Sequence, residues 1–277
     1  MPNKMPPVSA QSRTGLARVL SKLGYCSRTR AAELIRAGRV RLNGSVRRNP
    51  ETPVALGRDR IEIDGQQLDA AAKSYWMLNK PRGAVTTASD EHGRETVYKY
   101  LPPTALQADQ SGALQARQSV ALQARQSEVP WLAPVGRLDR ASEGLLLFTN
   151  DSAWAARITS PESHVDKTYH VQIASVAGDD LLEKLHRGLR LVSGEVLRVK
   201  NAEILRAGAK TSWLIIVLDE GRNRHIRRIF EALGIEVLRL VRVAIGNLQL
   251  GDLPKGKCSR LTPAEIAAII SSPRRSF

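Results

Sequence analysis

Residues 134–150 read PVGRLDRASEGLLLFTN, and the apolar run near the end of this stretch organises the second half of the chain. The run from Gly144 to Phe148 is too short to span a membrane and predicts a buried β-strand. Apolar or alternating patterns of similar length predict further strands at residues 75–78, 168–173, 212–218 and 237–243.

Helical patterns lie between these strands, at residues 152–159, 179–187, 223–233 and 263–270. The last helix has a capping box, with Thr262 as N-cap, Pro263 at the first helical position and Glu265 two residues later. Strands and helices follow one another without a regular βαβ repeat. The sequence therefore predicts an α+β fold with a mixed, largely antiparallel sheet.

A small module precedes this region. Apolar residues between Leu16 and Leu23 have helical spacing and stop at Gly24, and Ser27 is placed to cap a second helix that ends at Gly38. The turn dipeptide Asn43-Gly44 then predicts a hairpin, and a further strand is predicted at residues 60–63.

These patterns predict a division into domains. Residues 1–12 are expected to be a mobile tail, residues 13–70 a small helix-and-hairpin domain and residues 75–272 the larger domain, with a short linker at 68–74. Residues 105–128 read ALQADQSG, ALQARQSV and ALQARQSE. Because eight residues are not a whole number of helical turns, we expect this repeat to be a disordered or transiently helical surface insertion, dispensable for activity.

The charge of the chain indicates a polyanionic partner. Lys and Arg number 42 against 27 Asp and Glu, for a formal net charge of +15. Twelve basic and three acidic residues fall between Arg13 and Arg60, a concentration that favours phosphate binding over general solubility. Charge alone also allows a DNA-binding regulator, but no helix-turn-helix or dimerisation heptad supports one.

Other function classes find little support in the sequence. The two cysteines, Cys26 and Cys258, are isolated, which disfavours a disulfide scaffold and a zinc site and is typical of a reducing compartment. The N-terminus has no apolar leader, no membrane span is visible and no cofactor-binding motif occurs. We therefore expect a cytoplasmic protein without a cofactor or a membrane partner.

The most unusual local chemistry surrounds Asp139, a carboxylate between Arg137 and Arg140 in a segment bounded by glycines. Cationic neighbours keep a carboxylate ionised, as a nucleophile or general base requires. A loop aspartate that caps a turn or forms an ion pair is the alternative, and composition alone favours that structural interpretation.

The motif GRLDRASEGLLLFTND (136–151) resembles the active-site motif of the RsuA/RluB/RluE/RluF family of ribosomal RNA pseudouridine synthases. MLNKPRGAVTT (77–87), KTYHVQI (167–173) and the segment 220–256 resemble the other motifs of this family, in the same order. SRTRAAELIRAGRVRLNG (27–44) resembles an S4 RNA-binding domain. The resemblance covers nearly the whole chain except the tail and the repeat, and it implies a pseudouridine synthase of this fold.

The resemblance also implies roles for individual residues. Asp139 matches the catalytic aspartate, Tyr169 the tyrosine that packs on the target base, and Arg227 the basic residue that pairs with the aspartate. Tyr169 could instead be a core residue of an alternating strand, and Arg227 a solvated helix residue. Lys80 matches a lysine expected near RNA or in a structural role.

The expected partner is ribosomal RNA. Arg137, Lys80 and Lys167 are expected substrate contacts, and the S4-like module supplies candidate phosphate contacts at Arg18, Lys22, Arg28, Arg30, Arg39 and Arg41. The resemblance favours a target in 23S rRNA, like that of RluB, over one in 16S rRNA, like that of RsuA. A noncatalytic ribosome-assembly factor remains an alternative, and a monomer is expected.

Overall fold

A computed structural model describes residues 14–88, 90, 92–102 and 131–270 of the chain. These residues form two compact units, one of residues 14–73 with 131 and one of residues 74–102 with 132–270. The tail expected at 1–12 and the insertion expected at 105–128 lie outside the described residues. No helix within the described ranges is long and apolar enough to cross a lipid bilayer.

The N-terminal unit combines a helix pair with a small antiparallel sheet. Its elements are β1 (Thr14–Gly15), α1 (Leu16–Lys22), α2 (Arg28–Arg36), β2 (Val40–Leu42), β3 (Ser45–Arg47), β4 (Pro53–Val54), β5 (Ile61–Ile63) and β6 (Gln66–Gln67). Strands β3, β2, β5 and β6 lie side by side in that order.

The local signals in the N-terminal unit act as predicted. The Ser27 side chain accepts a hydrogen bond of 3.2 Å from the Arg30 backbone N–H and so caps α2. Asn43 and Gly44 both have positive φ, at 52° and 80°, which suits the tight turn between β2 and β3. The apolar faces of α1 and α2 bury Leu16, Leu20 and other residues against the sheet in one core.

The C-terminal unit is larger. Its elements are β7 (Tyr75–Lys80), β8 (Ala133–Val135), β9 (Glu143–Thr149), α3 (Ser152–Thr159), β10 (Lys167–Ile173), α4 (Asp179–Arg187), β11 (Leu189–Arg190), β12 (Val196–Leu197), β13 (Asn201–Ala207), β14 (Ser212–Leu218), α5 (His225–Ala232), β15 (Val237–Ile245), β16 (Leu248–Gln249), β17 (Cys258–Arg260) and α6 (Pro263–Ile270). Short 3-10 helices occupy Val97–Tyr100 and Pro161–Ser163.

One mixed sheet organises this unit. Its strands follow the order β13-β14-β10-β15-β9-β7-β17, with β16 paired to β15 and β8 to β9. Strands β9 and β15 run parallel, and the other described pairs of this sheet are antiparallel. The predicted α+β fold with a mixed, largely antiparallel sheet is therefore confirmed.

Helices cover the sheet in two places. Leu181 and Leu185 of α4, together with Ile229 and Phe230 of α5, pack against the buried faces of β10, β14 and β15. Trp154 of α3 and residues of α6 pack in a second core with β9. The predicted capping box of α6 is present, because Thr262 N–H donates to the Glu265 carboxylate at 2.8 Å and Glu265 N–H donates to Thr262 Oγ1 at 3.3 Å.

Two of the differences from the sequence-based predictions have a clear physical reason. Helix α5 begins at His225 rather than at residue 223, because Arg224 adopts a left-handed conformation with φ 48° that a helix cannot contain. Strand β13 was not predicted. Its pairing with β14 shifts between Ile204 and Arg206, and such a bulge breaks the alternation by which strands are recognised.

Gly144 permits the parallel contact between β9 and β15. It lies opposite Arg242 in the register, with φ 99°. A Cβ atom built at Gly144 would come within 2.2 Å of the Arg242 carbonyl oxygen and 2.8 Å of its nitrogen, and neither backbone atom can move without separating the strands. Glycine is therefore required here for both conformation and space.

We expect Gly144→Ala to lower the free energy of unfolding by about 3 kcal/mol or more, because conformational strain and a backbone clash coincide. Gly194→Ala is the matched control. Gly194 has φ 83° but open space around its Cβ position. Gly194→Ala should therefore lower the free energy of unfolding by only about 1 kcal/mol. Urea denaturation measures both, and equal losses would contradict the role assigned to the close approach.

Candidate active site

A cavity of about 290 Å³ opens in the C-terminal unit beside the sheet. Its lining includes Asp139 from the loop before β9, Lys167 and Tyr169 from β10, and Arg242 from β15. The segment 219–226 forms another wall. The structure thus brings together two of the three residues expected to be catalytic, Asp139 and Tyr169.

Hydrogen bonds of the backbone fix the loop that carries Asp139. The Ser142 N–H donates to the Asp139 carbonyl at 3.0 Å and closes a turn. The Thr86 hydroxyl donates to the Leu138 carbonyl at 2.8 Å, and Gly83 N–H donates to the Arg140 carbonyl at 2.8 Å. The loop is therefore held on both sides of the half-buried Asp139.

Lys80 is the most deeply buried charged group at this loop, with no exposed surface. Its ammonium donates to the carbonyls of Pro81 (3.2 Å), Asp139 (3.1 Å) and Ser142 (2.8 Å). Burial lowers the pKa of Lys80 to about 8, although the negative charges of Asp139 and Glu143 oppose the shift.

The burial of Lys80 corrects one sequence-based expectation. Lys80 was expected among the substrate contacts, with a structural role as the alternative. A side chain without exposed surface does not reach RNA, and the hydrogen bonds of Lys80 within the described residues go to backbone carbonyls. Lys80 instead holds the Asp139 loop in place.

Glu143 fixes the other end of the same loop, where β9 begins. Its carboxylate is buried and pairs with Arg239 at 3.2 Å and with Lys255 at 2.5 Å. Burial alone raises the pKa of Glu143, but the hydrogen bonds from Lys255 and Arg239 outweigh burial and hold the pKa below its usual value. The start of β9 is thus anchored by an ionised carboxylate.

Tyr169 lies where the main core meets the cavity. Its side chain packs at the margin of the main core and also lines the cavity. On β10 it lies directly opposite Ile216 of β14 and Arg242 of β15. Tyr169 therefore presents a half-buried ring to the cavity from a rigid central strand.

Arg227 lies near Asp139 without forming a direct ion pair with it among the described residues. Its guanidinium donates to the carbonyls of Ala141 (3.0 Å) and Val237 (3.4 Å), and its Nε is buried with no described partner. Burial lowers the pKa of Arg227, and the charge of Asp139 opposes that shift. Arg227 therefore contacts the Asp139 loop through the Ala141 carbonyl rather than through the carboxylate.

Two other expected contacts lie at the cavity. Arg137 is exposed at the rim, and Lys167 is half-buried in the wall. Burial lowers the pKa of Lys167, and the positive charge of Arg242 adds to this shift. Both cations are placed to meet a ligand that enters the cavity.

Arg242 is the residue of the cavity that the sequence analysis missed. It is 6% exposed and donates from Nε to the Leu145 carbonyl at 2.7 Å. A signal was present in the sequence. Alternation along β15 places residue 242 on the same face as Leu240 and Ala244, which are both buried. A lone charge at a buried position of a strand is rare and indicates a special role.

The six candidate phosphate contacts of the N-terminal unit divide into two groups. Arg18 and Lys22 of α1 and Arg28 of α2 are exposed and form no ion pair within the part of the chain that the structure describes. Arg41 is exposed and donates to the Gly44 carbonyl at 3.1 Å. These cations are available to phosphate groups.

The remaining candidates already have acidic partners. Arg30 pairs with Glu33 at 3.0 Å, and Arg39 makes a bidentate contact with Asp64 whose shortest distance is 2.5 Å. The hydrogen bond from Arg39 lowers the pKa of Asp64. Because these charges are partly neutralised within the fold, the first group is the stronger candidate for phosphate contacts.

Lys80→Met should lower the free energy of unfolding by about 2–4 kcal/mol, because it leaves buried carbonyls of the loop without donors. Lys184→Met, on the exposed face of α4, is the control, and its free energy of unfolding should stay within about 0.5 kcal/mol of that of wild type. Urea denaturation at pH 7 measures both, and a small effect at residue 80 would contradict its role in the loop.

The difference in the free energy of unfolding between wild type and Lys80→Met should depend on pH. With the pKa of Lys80 at about 8 in the folded state and the ordinary value of 10.5 unfolded, the unfolded chain binds more protons between these limits. The contribution of Lys80 to stability therefore rises with pH across this window. The difference between wild type and Lys80→Met should widen from pH 8 to 10.5. A narrowing difference would indicate that the three carbonyls raise the pKa instead.

Two family models match this sequence. The model of the RNA pseudouridylate synthase family matches residues 74–232, and that of the S4 domain matches residues 14–61. The chain is 35% identical over 256 residues to ribosomal large subunit pseudouridine synthase B of Bacillus subtilis, with 91% of this chain and 93% of the relative covered. It is 32% identical over 257 residues to an uncharacterised RNA pseudouridine synthase of Aquifex aeolicus, with 92% and 93% covered.

A solved structure has a similar fold. The crystal structure of a pseudouridylate synthase matches with a TM-score of 0.59 at 27% sequence identity, and the match covers 92% of this chain and 99% of that one. The two family matches extend into both units, and that of the synthase family includes the part of the cavity lining between Val135 and Ile226. The chain therefore belongs to the RNA pseudouridylate synthase family and is a pseudouridine synthase with an N-terminal S4 domain.

Proposed function

We propose that this pseudouridine synthase isomerises one uridine of ribosomal RNA, more specifically of 23S rRNA, with Asp139 as its catalytic carboxylate. The observation that carries the proposal is the placement of Asp139 in the cavity, beside Tyr169, on a loop that Lys80 and Glu143 hold rigid. The name of the Bacillus subtilis relative, a ribosomal large subunit enzyme, supports the choice of 23S over 16S rRNA.

The reaction requires only side chains of this kind. The N1–C1′ bond of uridine breaks, the base turns, and a C5–C1′ bond forms, with no redox change and no energy input. Asp139 either attacks C1′ of the sugar or removes a proton from C2′, and each route needs an ionised carboxylate close to the ribose. No cofactor is proposed.

The other two residues complete the proposed machinery. The ring of Tyr169 packs on the detached uracil and keeps it in the cavity while it turns. Arg227 donates to the Ala141 carbonyl of the same loop and so places positive charge close to Asp139. Their placement on β10 and α5 makes the arrangement rigid, as a catalytic site requires.

The target uridine has to leave its stack to reach the cavity, at a cost of roughly a few kcal/mol. Phosphate contacts offset this cost. We assign them to Arg18, Lys22 and Arg28 in the N-terminal domain and to Arg137 and Lys167 at the cavity. The domains proposed are those expected from the sequence, namely 13–70 for RNA binding and 75–272 for catalysis, in a monomer that acts in the cytoplasm.

We expect Asp139→Asn to lower pseudouridine formation at least about 10³-fold while RNA affinity stays near wild type, because the amide neither attacks carbon nor accepts a proton. Pseudouridine mapping of 16S and 23S rRNA, from cells with and without the gene and rescued by each form, measures this. Asp252→Asn, in an exposed turn, is the matched control and should rescue fully.

The mapping separates the alternatives. One 23S site that is lost on deletion and restored by wild type alone supports the proposal. A lost site in 16S rRNA would move the target to the small subunit. Loss of no site, or rescue by Asp139→Asn, would favour a noncatalytic assembly factor.

A second test concerns the N-terminal domain. The double substitution Arg18→Gln with Lys22→Gln should weaken rRNA binding about tenfold and reduce the slope of log K against log salt by about 1.5, since two phosphate contacts are lost. The control Lys184→Gln with Arg187→Gln removes the same charge from α4. Anisotropy titrations at several salt concentrations compare the pairs, and equal effects would show that only net charge matters.

A further inference from the structure

Arg242 occupies a position that the proposed roles of Asp139, Tyr169 and Arg227 leave unused. It lies in the cavity wall, directly opposite Tyr169 in the pairing of β10 with β15. Residues directly opposite on antiparallel strands have Cβ atoms about 5 Å apart. A planar ligand that packs on the Tyr169 ring therefore lies within reach of the Arg242 guanidinium.

The guanidinium of Arg242 is only partly satisfied. Nε donates to the Leu145 carbonyl, but Nη2 is buried and donates to no described atom. No acidic residue of the described ranges forms an ion pair with Arg242. Arg239 on the opposite face of the same strand contrasts with it, because it pairs with Glu143 and stacks on Trp213.

An unpaired buried cation is costly in a folded protein, so its presence calls for a partner that the free chain lacks. Lys167 in the same wall adds to its charge. Arg242 helps to lower the pKa of Lys167, after the larger effect of burial. This wall of the cavity is therefore electropositive.

The acidic residues near this wall act on Lys167 rather than on Arg242. The charges of Asp166 and Asp219 oppose the lowering of the pKa of Lys167, and Glu220 pairs with Arg222 at 2.9 Å. Asp139 has its own task in the reaction. The wall formed by Arg242 and Lys167 is thus suited to an anion that arrives with the substrate or develops during the reaction.

We propose that Arg242 is a catalytic residue that stabilises the detached uracil as an anion. The inference rests on the proposed function. When the C1′–N1 bond breaks, its electron pair remains on the uracil ring and is shared by N1, O2 and O4, whether Asp139 bonds to C1′ or takes the C2′ proton. Once the base has turned, C5 bonds to C1′ and Asp139 is released or returns its proton. C5 then loses its proton and N1 gains one, so the product is an isomer.

The position of Arg242 favours the uracil over a phosphate group. At 6% exposure its guanidinium is reached only by atoms that enter the cavity. Backbone phosphates meet exposed cations such as Arg137 at the rim. A phosphate contact would also lower affinity for RNA when removed, whereas stabilisation of a developing anion acts on the rate of the chemical step.

The test compares two leaving groups. An rRNA fragment around the mapped site carries either uridine or 5-fluorouridine at that position. Fluorine withdraws electrons, so the fluorouracil anion depends less on Arg242. Arg242→Gln should lower kcat on uridine about 10²–10³-fold and leave KM within about threefold. The loss on 5-fluorouridine, followed as disappearance of that nucleoside by mass spectrometry, should be at least about tenfold smaller.

Arg239→Gln is the matched control, since it removes a guanidinium from the same strand outside the cavity. Arg239→Gln should lower kcat on both substrates by the same factor. If Arg242→Gln does not fold, Arg242→Lys is tested in the same way. Because the lysine side chain is shorter, kcat on uridine should fall about tenfold and the fall on 5-fluorouridine should be smaller. Melting temperatures establish that each variant is folded.

Three results would overturn the inference: an unchanged kcat in folded Arg242→Gln, equal losses on the two substrates, or a change in KM alone. Failure of the proposed function looks different. In that case wild type itself converts no uridine, and the inference falls with it. Activity of wild type that Asp139→Asn lacks and Arg242→Gln keeps would reject the role of Arg242 alone.

Discussion

Gly144 and Arg242 lie side by side where β9 runs parallel to β15, and their backbones approach too closely to admit a Cβ atom at residue 144. This contact joins the part of the sheet built on β7, β9 and β17 to the part built on β15, β10, β14 and β13. Asp139 comes from the first part and Tyr169 from the second. The cavity exists because the two parts meet at this line, so the separation of the strands sets the distance between the carboxylate and the ring.

The C-terminal unit buries three charged groups near this line and satisfies each differently. Lys80 is surrounded by carbonyl oxygens, Glu143 by two cations, and Arg242 by a single carbonyl oxygen. The first two arrangements are closed, which explains why they act as fixed supports of the Asp139 loop. The third is open and faces the cavity. Among these three groups, Arg242 is the one with a buried donor atom left open to a ligand.

Much of this arrangement could be predicted from the sequence, for reasons that are local. The apolar run at Gly144–Phe148, the cap at Ser27 and the capping box at Thr262 report short-range physics, and the structure contains each of them. Family motifs pointed to Asp139, Tyr169 and Arg227, and the structure places the first two in one cavity.

What could not be predicted depends on contacts between distant residues. The Lys80 ammonium donates to the carbonyls of residues 139 and 142, which lie about sixty positions away in the sequence. The local sequence around Lys80 therefore could not show that it contacts these carbonyls rather than RNA. The bulge in β13 and the left-handed Arg224 have no periodic signature. Arg242 was overlooked although strand alternation places it on a buried face, because the motif that contains it drew attention to Arg227.

The chain order of these contacts has a consequence for biosynthesis. The core of the N-terminal unit is complete once residues 16–63 exist, whereas the cavity needs β15 and the clamp on Glu143 needs Lys255. At translation rates of roughly 5–20 residues per second, the stretch between residues 73 and 242 takes about 10–30 s to synthesise. During that interval the nascent protein carries a finished basic N-terminal unit but no assembled cavity, so under the proposed function the chain is able to contact RNA before it is able to modify it.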